Sequence, residues 1–256
     1  MKQSIRIAAA TVAAALASGG IAAAPAQAEI VYQNNFDTEN GGLTAHQYNS
    51  FNGLTVSRES VDLISGFNGF GIACAGTGGA CVDMSGTIGL PNGQLTSGSY
   101  AFGAGETMTL AFMMSGNQRI VGGGNGFQSA FDFGNTLGVS WGYTRDGVTT
   151  DMGRWTGTGI TYSNALNWDV PFFDFSIYFT PDTAGTATFS ITADAANANV
   201  GAGPILDNVS LSIARQVSGA VPEPATWALM VLGFGTIGAA MRRRPVTHAR
   251  ATAVAC

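Results

Sequence analysis

Lysine is almost missing from this chain of 256 residues; it occurs once, at Lys2. Between residues 29 and 220 the only cationic side chains are Arg58, Arg119, Arg145, Arg154 and Arg215, and carboxylates there outnumber them by about three to one. A stretch so poor in positive charge excludes nucleic acid and anionic membrane surfaces as partners. The same stretch has one histidine, His46, and no Gly-x-Ser-x-Gly pattern. No Ser/His/Asp constellation is therefore legible, and His46 reads as a surface histidine. Soft metal ligands are scarce as well. Cys74 and Cys81 stand alone in this region, outside any Cys-x-x-Cys motif, which argues against a zinc or redox site. Gly122-Gly123-Gly124-Asn125-Gly126 lacks the lysine and helix that a phosphate loop requires. Carboxylates are numerous enough for glycoside hydrolysis, yet no local pattern singles out a pair. No segment between the two ends carries a sustained helical period.

What is present begins at the two ends. Met1–Ala28 opens with Lys2 and Arg6, continues as an apolar run from Ile7 to Ala17, and closes on Ala26-Gln27-Ala28 before Glu29. These are the parts of a secretory signal peptide, with Ala26 and Ala28 fitting the signal peptidase and the cut falling before Glu29. At the other end, Pro222-Glu223-Pro224 precedes an uncharged run from Ala225 to Met241, and Arg242, Arg243 and Arg244 follow at once. As a helix the run, about 225–241, spans about 25 Å, near the lower limit for a hydrocarbon core. Its arginines belong in the cytoplasm and the bulk of the chain outside, with Trp227 near the outer interface. On composition alone this is a C-terminal membrane anchor. Residues 245–256 form a short cytoplasmic extension.

The region from 29 to 220 suits one domain. It is rich in glycine and breaks into short alternating segments: Leu54–Arg58, Thr107–Met113, Leu137–Tyr143, Phe173–Phe179, Ala187–Thr192 and Val209–Ile213. The spacing predicts an all-β antiparallel β-sandwich. Leu137, Val139, Trp141 and Tyr143 share one strand face, as do Phe173, Phe175, Ile177 and Phe179; four large apolar residues in a row read as core rather than as a sugar platform. Trp155, Tyr162 and Trp168 fall in Gly/Asn-rich stretches read as connections. Loop aromatics either stack on a ligand or plug the end of a core. Cys74 and Cys81 flank Ala-Gly-Thr-Gly-Gly-Ala, and in an exported chain a disulfide closing that loop is expected.

Two resemblances add to this. Pro222, Glu223, Pro224, Trp227, Ala228 and Arg242–Arg244, in that order, resemble the PEP-CTERM sorting tail in its PEPxxWA form. That implies an exported protein, inserted by the general secretion machinery and processed by an exosortase near the Pro-Glu-Pro box. It then reaches the cell surface or the extracellular matrix of exopolysaccharide-producing, biofilm-forming bacteria. The extension beyond Arg244 departs from the usual pattern. The series Asn34-Asn35-Phe36-Asp37, Ser60–Ile64, Cys81–Gly86, Ser115–Arg119 and Gly203–Leu211 resembles galactose-binding-like jelly rolls, the architecture of many carbohydrate-binding modules. That resemblance implies a non-enzymatic domain binding polysaccharide and a structural calcium at Asp37 and Asp207; the competing reading of Asp207-Asn208 is a strand-edge pair. A hydrolase on the same fold is the alternative. An ice-binding protein, suggested by the shared tail, is a third reading, although no regular threonine array is present.

Overall fold

The structure is a computed structural model that describes residues 27–65, 71–76, 78–87, 93–119, 126–166, 171–193 and 203–215, and a helix over 224–242 with side chains over 229–238. It divides into two units, a β domain within Ala26–Gln216 and the remainder.

The strands of the β domain are β1 (Gln27–Asn34), β2 (Leu54–Arg58), β3 (Asp62–Ser65), β4 (Ala80–Asp83), β5 (Gly93–Ser97), β6 (Tyr100–Phe102), β7 (Thr107–Ser115), β8 (Gly126–Arg145), β9 (Val148–Ala165), β10 (Phe173–Pro181), β11 (Gly185–Ala193) and β12 (Ile205–Arg215). All pairings are antiparallel, along the path β2-β5-β11-β8-β10-β7-β12-β4-β3. β1 adds to β12, β6 to β11 and β9 to β8. The path folds over at β8. Residues 127–132 of that strand pair with β11, whereas residues 139–145 pair with β10. One layer is thus β2-β5-β11, the other is β10-β7-β12 with its neighbours, and the β8–β9 ribbon runs through both. This is the expected antiparallel jelly-roll β-sandwich.

Alternation explains why the layers close. Phe175, Ile177 and Phe179 of β10 are buried while Asp174, Ser176 and Tyr178 point outward. On β8, Phe127, Phe131 and Val139 are buried, and Leu137, Trp141 and Tyr143 pack against the same core. Both predicted faces therefore line the interior. Aromatic rings bridge the layers: Phe112 to Phe127 at 5.6 Å, Phe131 to Phe179 at 4.8 Å and Tyr32 to Phe189 at 5.7 Å. Each fully buried ring contributes roughly 1.5–3 kcal/mol relative to exposure. A smaller core of Ile64, Ile72, Cys81 and Ile205 lies under the Cys74–Cys81 loop. The expected disulfide is present, its Cα atoms 5.4 Å apart.

The first and last strands fasten to each other, Gln27 opposite Arg215 and Asn34 opposite Val209. β1 opens two residues ahead of the expected signal cut, so a chain beginning at Glu29 begins within the strand. Glu29 pairs there with Arg215 at 2.7 Å. Ala28 lies in β1 opposite Ala214, whereas Ala26 and all that precedes it lie outside the described residues.

In the second unit, Pro224–Arg242 is a 19-residue helix, α1. Leu229, Met230, Val231, Leu232, Phe234 and Ile237 are all exposed on it. The expected spanning segment, about 225–241, is thus present as a helix. Only its middle is described in side-chain detail, and among the described residues no helix is long and apolar enough to cross a membrane. Pro222, Glu223, Arg243, Arg244 and residues 245–256 lie outside the described residues, as do the side chains of Trp227, Ala228 and Arg242.

Ser129 is the odd residue in the core. It sits between Phe127 and Phe131 on the inner face of β8, fully buried, and its Oγ has no hydrogen-bond partner among the described residues. An unmet buried hydroxyl costs about 1–3 kcal/mol. Ser129→Ala is expected to raise the thermal midpoint by roughly 2–4 °C for each kcal/mol regained; an unchanged or lowered midpoint in a thermal melt contradicts that assignment.

Candidate ligand-binding surface

β9 is polar and glycine-rich (VTTDMGRWTGTGITYSNA), which is why it reads as a connection in the sequence. It is a strand because β8 supplies a backbone partner along nearly its whole length. An outermost strand needs no apolar alternation of its own. Trp155 and Tyr162 therefore lie in β9 and not in loops, a correction to the sequence reading.

The two residues have different fates. Tyr162 faces inward with 9% of its surface exposed; its ring centroid is 4.3 Å from that of Tyr143, and its hydroxyl accepts from the Asn164 amide at 2.6 Å. That ring belongs to the core, and burial pushes its phenol up from the ordinary value. Trp155 is 49% exposed. Its Nε1 donates to the Gly159 carbonyl at 2.9 Å. The indole lies along the strand across Gly157, where a Cβ would meet Nε1 at 2.7 Å and Cε2 at 3.0 Å. Only glycine permits that approach. The result is an aromatic plate fixed at one end by its own N–H and at its base by backbone, with half of its surface open. Trp168 lies outside the described residues.

A second surface lies on the outside of the β10-β7-β12 layer. Two adjoining clefts, of about 320 and 390 Å³, share Met113. One is walled by Phe172, Gln118 and the disulfide loop at Ala73–Gly76; the other by Thr144, Asp174, Ser176 and Asn208. Tyr178 continues the outward row of β10 beyond Ser176. Its ring lies over Gly142 of β8, whose Cβ would meet Cζ of Tyr178 at 2.7 Å. Tyr178 is not among the sequence-derived candidates, although the alternation of β10 marks it as outward.

The disulfide loop that walls this groove is held by polar side chains. Gln118 accepts from the Ala73 amide at 2.7 Å and donates to its carbonyl at 2.9 Å. The Ala75 amide donates to Oδ2 of Asp207 and the Ala80 amide to Oδ1 of Asp37, both at 2.9 Å. The two carboxylates matched to a structural calcium thus do converge on one loop, and the Asp37 charge adds to burial in raising the Asp207 carboxyl to about 7. In this arrangement they hold N–H groups of the loop and of their own neighbours. The other two oxygens receive the Asn35 side-chain amide at 2.7 Å and the Asn208 backbone amide at 2.7 Å. All four oxygens therefore face N–H donors, whereas calcium takes roughly six to eight oxygen ligands. Among the described residues no group of three or more His, Cys, Asp or Glu side chains could hold a metal ion. What the pair holds is the loop.

A second acidic pair, Asp62 and Asp83, stands directly across β3 and β4. Both are buried, at 2% and 1% exposure. Asp62 accepts from the Gln47 amide at 2.8 Å and from the Thr87 hydroxyl, and lies 3.1 Å from Nδ1 of His46. Asp83 accepts from the amides of Ser85 (2.9 Å) and Gly203 (3.1 Å). His46 is thus tied to Asp62 across the sheet edge. With both carboxyl groups out of solvent, this pair does not flank an open bond in the way glycoside hydrolysis requires.

Comparison with known proteins bears on the ends and the fold separately. Residues 220–244 match the family model described as the PEP-CTERM protein-sorting motif. The chain carries a PEP-CTERM sorting tail. Such a tail marks an exported protein held at the membrane until an exosortase cuts it. No characterised protein matches the chain in sequence. Similar solved structures include the CBM22-1–GH10 modules of endo-1,4-beta-D-xylanase 10B from Clostridium thermocellum complexed with xylohexaose (16% identity, 72% of this chain and 28% of that one, TM-score 0.32). They also include a cycloisomaltooligosaccharide glucanotransferase of Paenibacillus sp. (18%, 69% and 19%, 0.22) and a CBM4 (10%, 70% and 98%, 0.21). The chain spans under a third of the first two proteins. The jelly-roll assignment rests on the strand pairing itself.

Burial pushes the Asp83 carboxyl from its ordinary 3.8 up to about 7, with the Asp62 charge adding to it against the two amide donors. A carboxyl raised on folding holds its proton longer in the folded state, so between about pH 4 and pH 7 stability falls as pH rises. Asp83→Asn keeps the Oδ1 acceptor and removes the titration. The variant is expected to show a flatter midpoint across that window in thermal melts; an unchanged slope contradicts the assignment.

Proposed function

We propose that the β domain is a non-enzymatic polysaccharide-binding module. An exosortase-processed tail delivers it to the cell surface or extracellular matrix, where exopolysaccharide is its partner. The observation that carries this reading is the Trp155 plate. A half-exposed indole is a large apolar surface left in water, and this one is locked flat by Nε1 and by Gly157, so it loses little freedom when a ligand stacks on it. The apolar face of a sugar ring fits such a plate; the Thr, Asp, Ser and Asn side chains of the outer groove lie on the other sheet face and offer hydrogen bonds to sugar hydroxyls there. The excess of carboxylates over arginines between residues 29 and 220, about three to one, disfavours polyanions and suits a neutral or weakly charged glycan. The buried state of Asp62 and Asp83 favours binding without turnover.

For the full-length chain, Trp155→Ala is expected to weaken binding to neutral polysaccharides by about tenfold or more, equal to about 1.4 kcal/mol. Gly157→Ala, which drives a methyl group into the indole, should weaken it too. Affinity electrophoresis across a polysaccharide panel reads this out, and retention of wild-type mobility shifts by both variants contradicts the reading. The sorting part has its own test. Intact mass of protein recovered from envelope and medium should correspond to a chain starting at Glu29 and ending near Pro222–Pro224; a mass retaining Arg242–Arg244 in all fractions leaves a permanent anchor instead.

A further inference from the structure

β9 is 18 residues long and is hydrogen-bonded on one side, to β8; among the described residues no strand takes its other edge. Side chains from Val148 to Thr156 are exposed, apart from Thr150. An edge of this length presents a row of N–H and C=O groups without a strand partner, although the Gly153 amide donates to Oδ1 of Asp151 at 2.8 Å and the Gly159 carbonyl accepts from Trp155; proteins usually blunt such an edge with lysine, proline or a short strand. β9 has no lysine and no proline, and its only charged residues are Asp151 and Arg154, of opposite sign.

The placement of those two charges is informative. They are three residues apart, so in a regular strand they would point to opposite faces. A register shift at Trp141/Gly142 leaves Met152 as an extra residue, setting Asp151 opposite Gly142 and Arg154 opposite Ser140. Gly142 and Ser140 are two apart on β8, so the bulge brings both charges to the same face. It likewise puts Thr150 and Trp155 on the other face, opposite Tyr143 and Val139.

We propose that this edge pairs with the same edge of a second copy, antiparallel about a two-fold axis passing between Met152 and Gly153. Asp151 then faces Arg154 of the second copy, and the symmetry makes this ion pair twice. Thr149 faces Thr156, Thr150 faces Trp155 and Val148 faces Gly157. Each facing pair presents the same sheet face, and both members of a pair direct their backbone groups the same way, so the ladder closes. Residues 148–157 of each copy form a joint of about 33 Å. Arg154 already rests on Asp182 of its own chain, which leaves its guanidinium between two carboxylates. Charges set only to repel strands would share a sign; here they are opposite and equidistant from the axis, which makes the edge self-complementary. The inference does not depend on the polysaccharide reading.

Sedimentation velocity of the full-length chain in detergent tests it. The wild-type chain is expected at twice its monomer mass. Asp151→Arg and Arg154→Asp are each expected to sediment as monomers, because each places like charges face to face twice. An equimolar mixture of the two variants restores opposite charges at both contacts and should regain the dimer, which also separates lost pairing from lost fold. A monomeric wild-type chain, a dimer that either single reversal leaves intact, or a mixture that stays monomeric overturns the proposal.

Discussion

One strand belongs to both layers of this sandwich, and the rest of the domain depends on that. β8 gives its first part to β11 and its second to β10, with the register shift between Asp132 and Leu137 between them. A strand crossing from one sheet to the other must bend, and a bulge is the cheapest way to bend it without losing the ladder on either side. The crossing brings Phe131 of one half against Phe179 of β10, and Phe127 against Phe112 of β7. The aromatic core is thus a consequence of where β8 changes partners. β9 follows β8 across the same corner, and this carries Trp155 to the rim of the sandwich.

How much of this was readable in the sequence depended on what each strand had to bury. β2 carries its predicted limits, and β7, β10, β11 and β12 contain their predicted segments, because alternating Leu, Ile, Val and Phe is the signature of a strand with one face on a core. β9 and the first half of β8 were not legible. Threonine, glycine and charge along β9 carry no apolar period, since its pairing is backbone pairing to a neighbour. Trp155 was singled out for its residue type while its setting was misread: a plate on a strand is a firmer platform than a side chain on a loop. Trp168 offers no comparison.

The acidic residues show a second limit of sequence reading. Asp37 and Asp207 were matched by resemblance, and the fold does bring them to a common place; what stands between them is a disulfide loop whose amides they accept. Sequence spacing can place two carboxylates near each other without saying whether cation or N–H occupies the space. The bulge at Asn208, with φ of 51°, sets the local geometry. It reverses the alternation of β12, so that Leu206 and Val209 both enter the core while Asp207 turns to the loop.

The fastening of β12 has a mechanical consequence. Its C-terminal residue, Arg215, lies a few residues before the sorting tail, and the strand is bonded to β7 on one edge and to β1 and β4 on the other. Any pull on the chain beyond Arg215 enters the domain through β12. Strands pulled along their length yield only when many hydrogen bonds break together, whereas strands pulled from the side open one bond at a time. A last strand flanked on both edges is therefore hard to peel from the domain by its end, whatever the equilibrium stability of the fold.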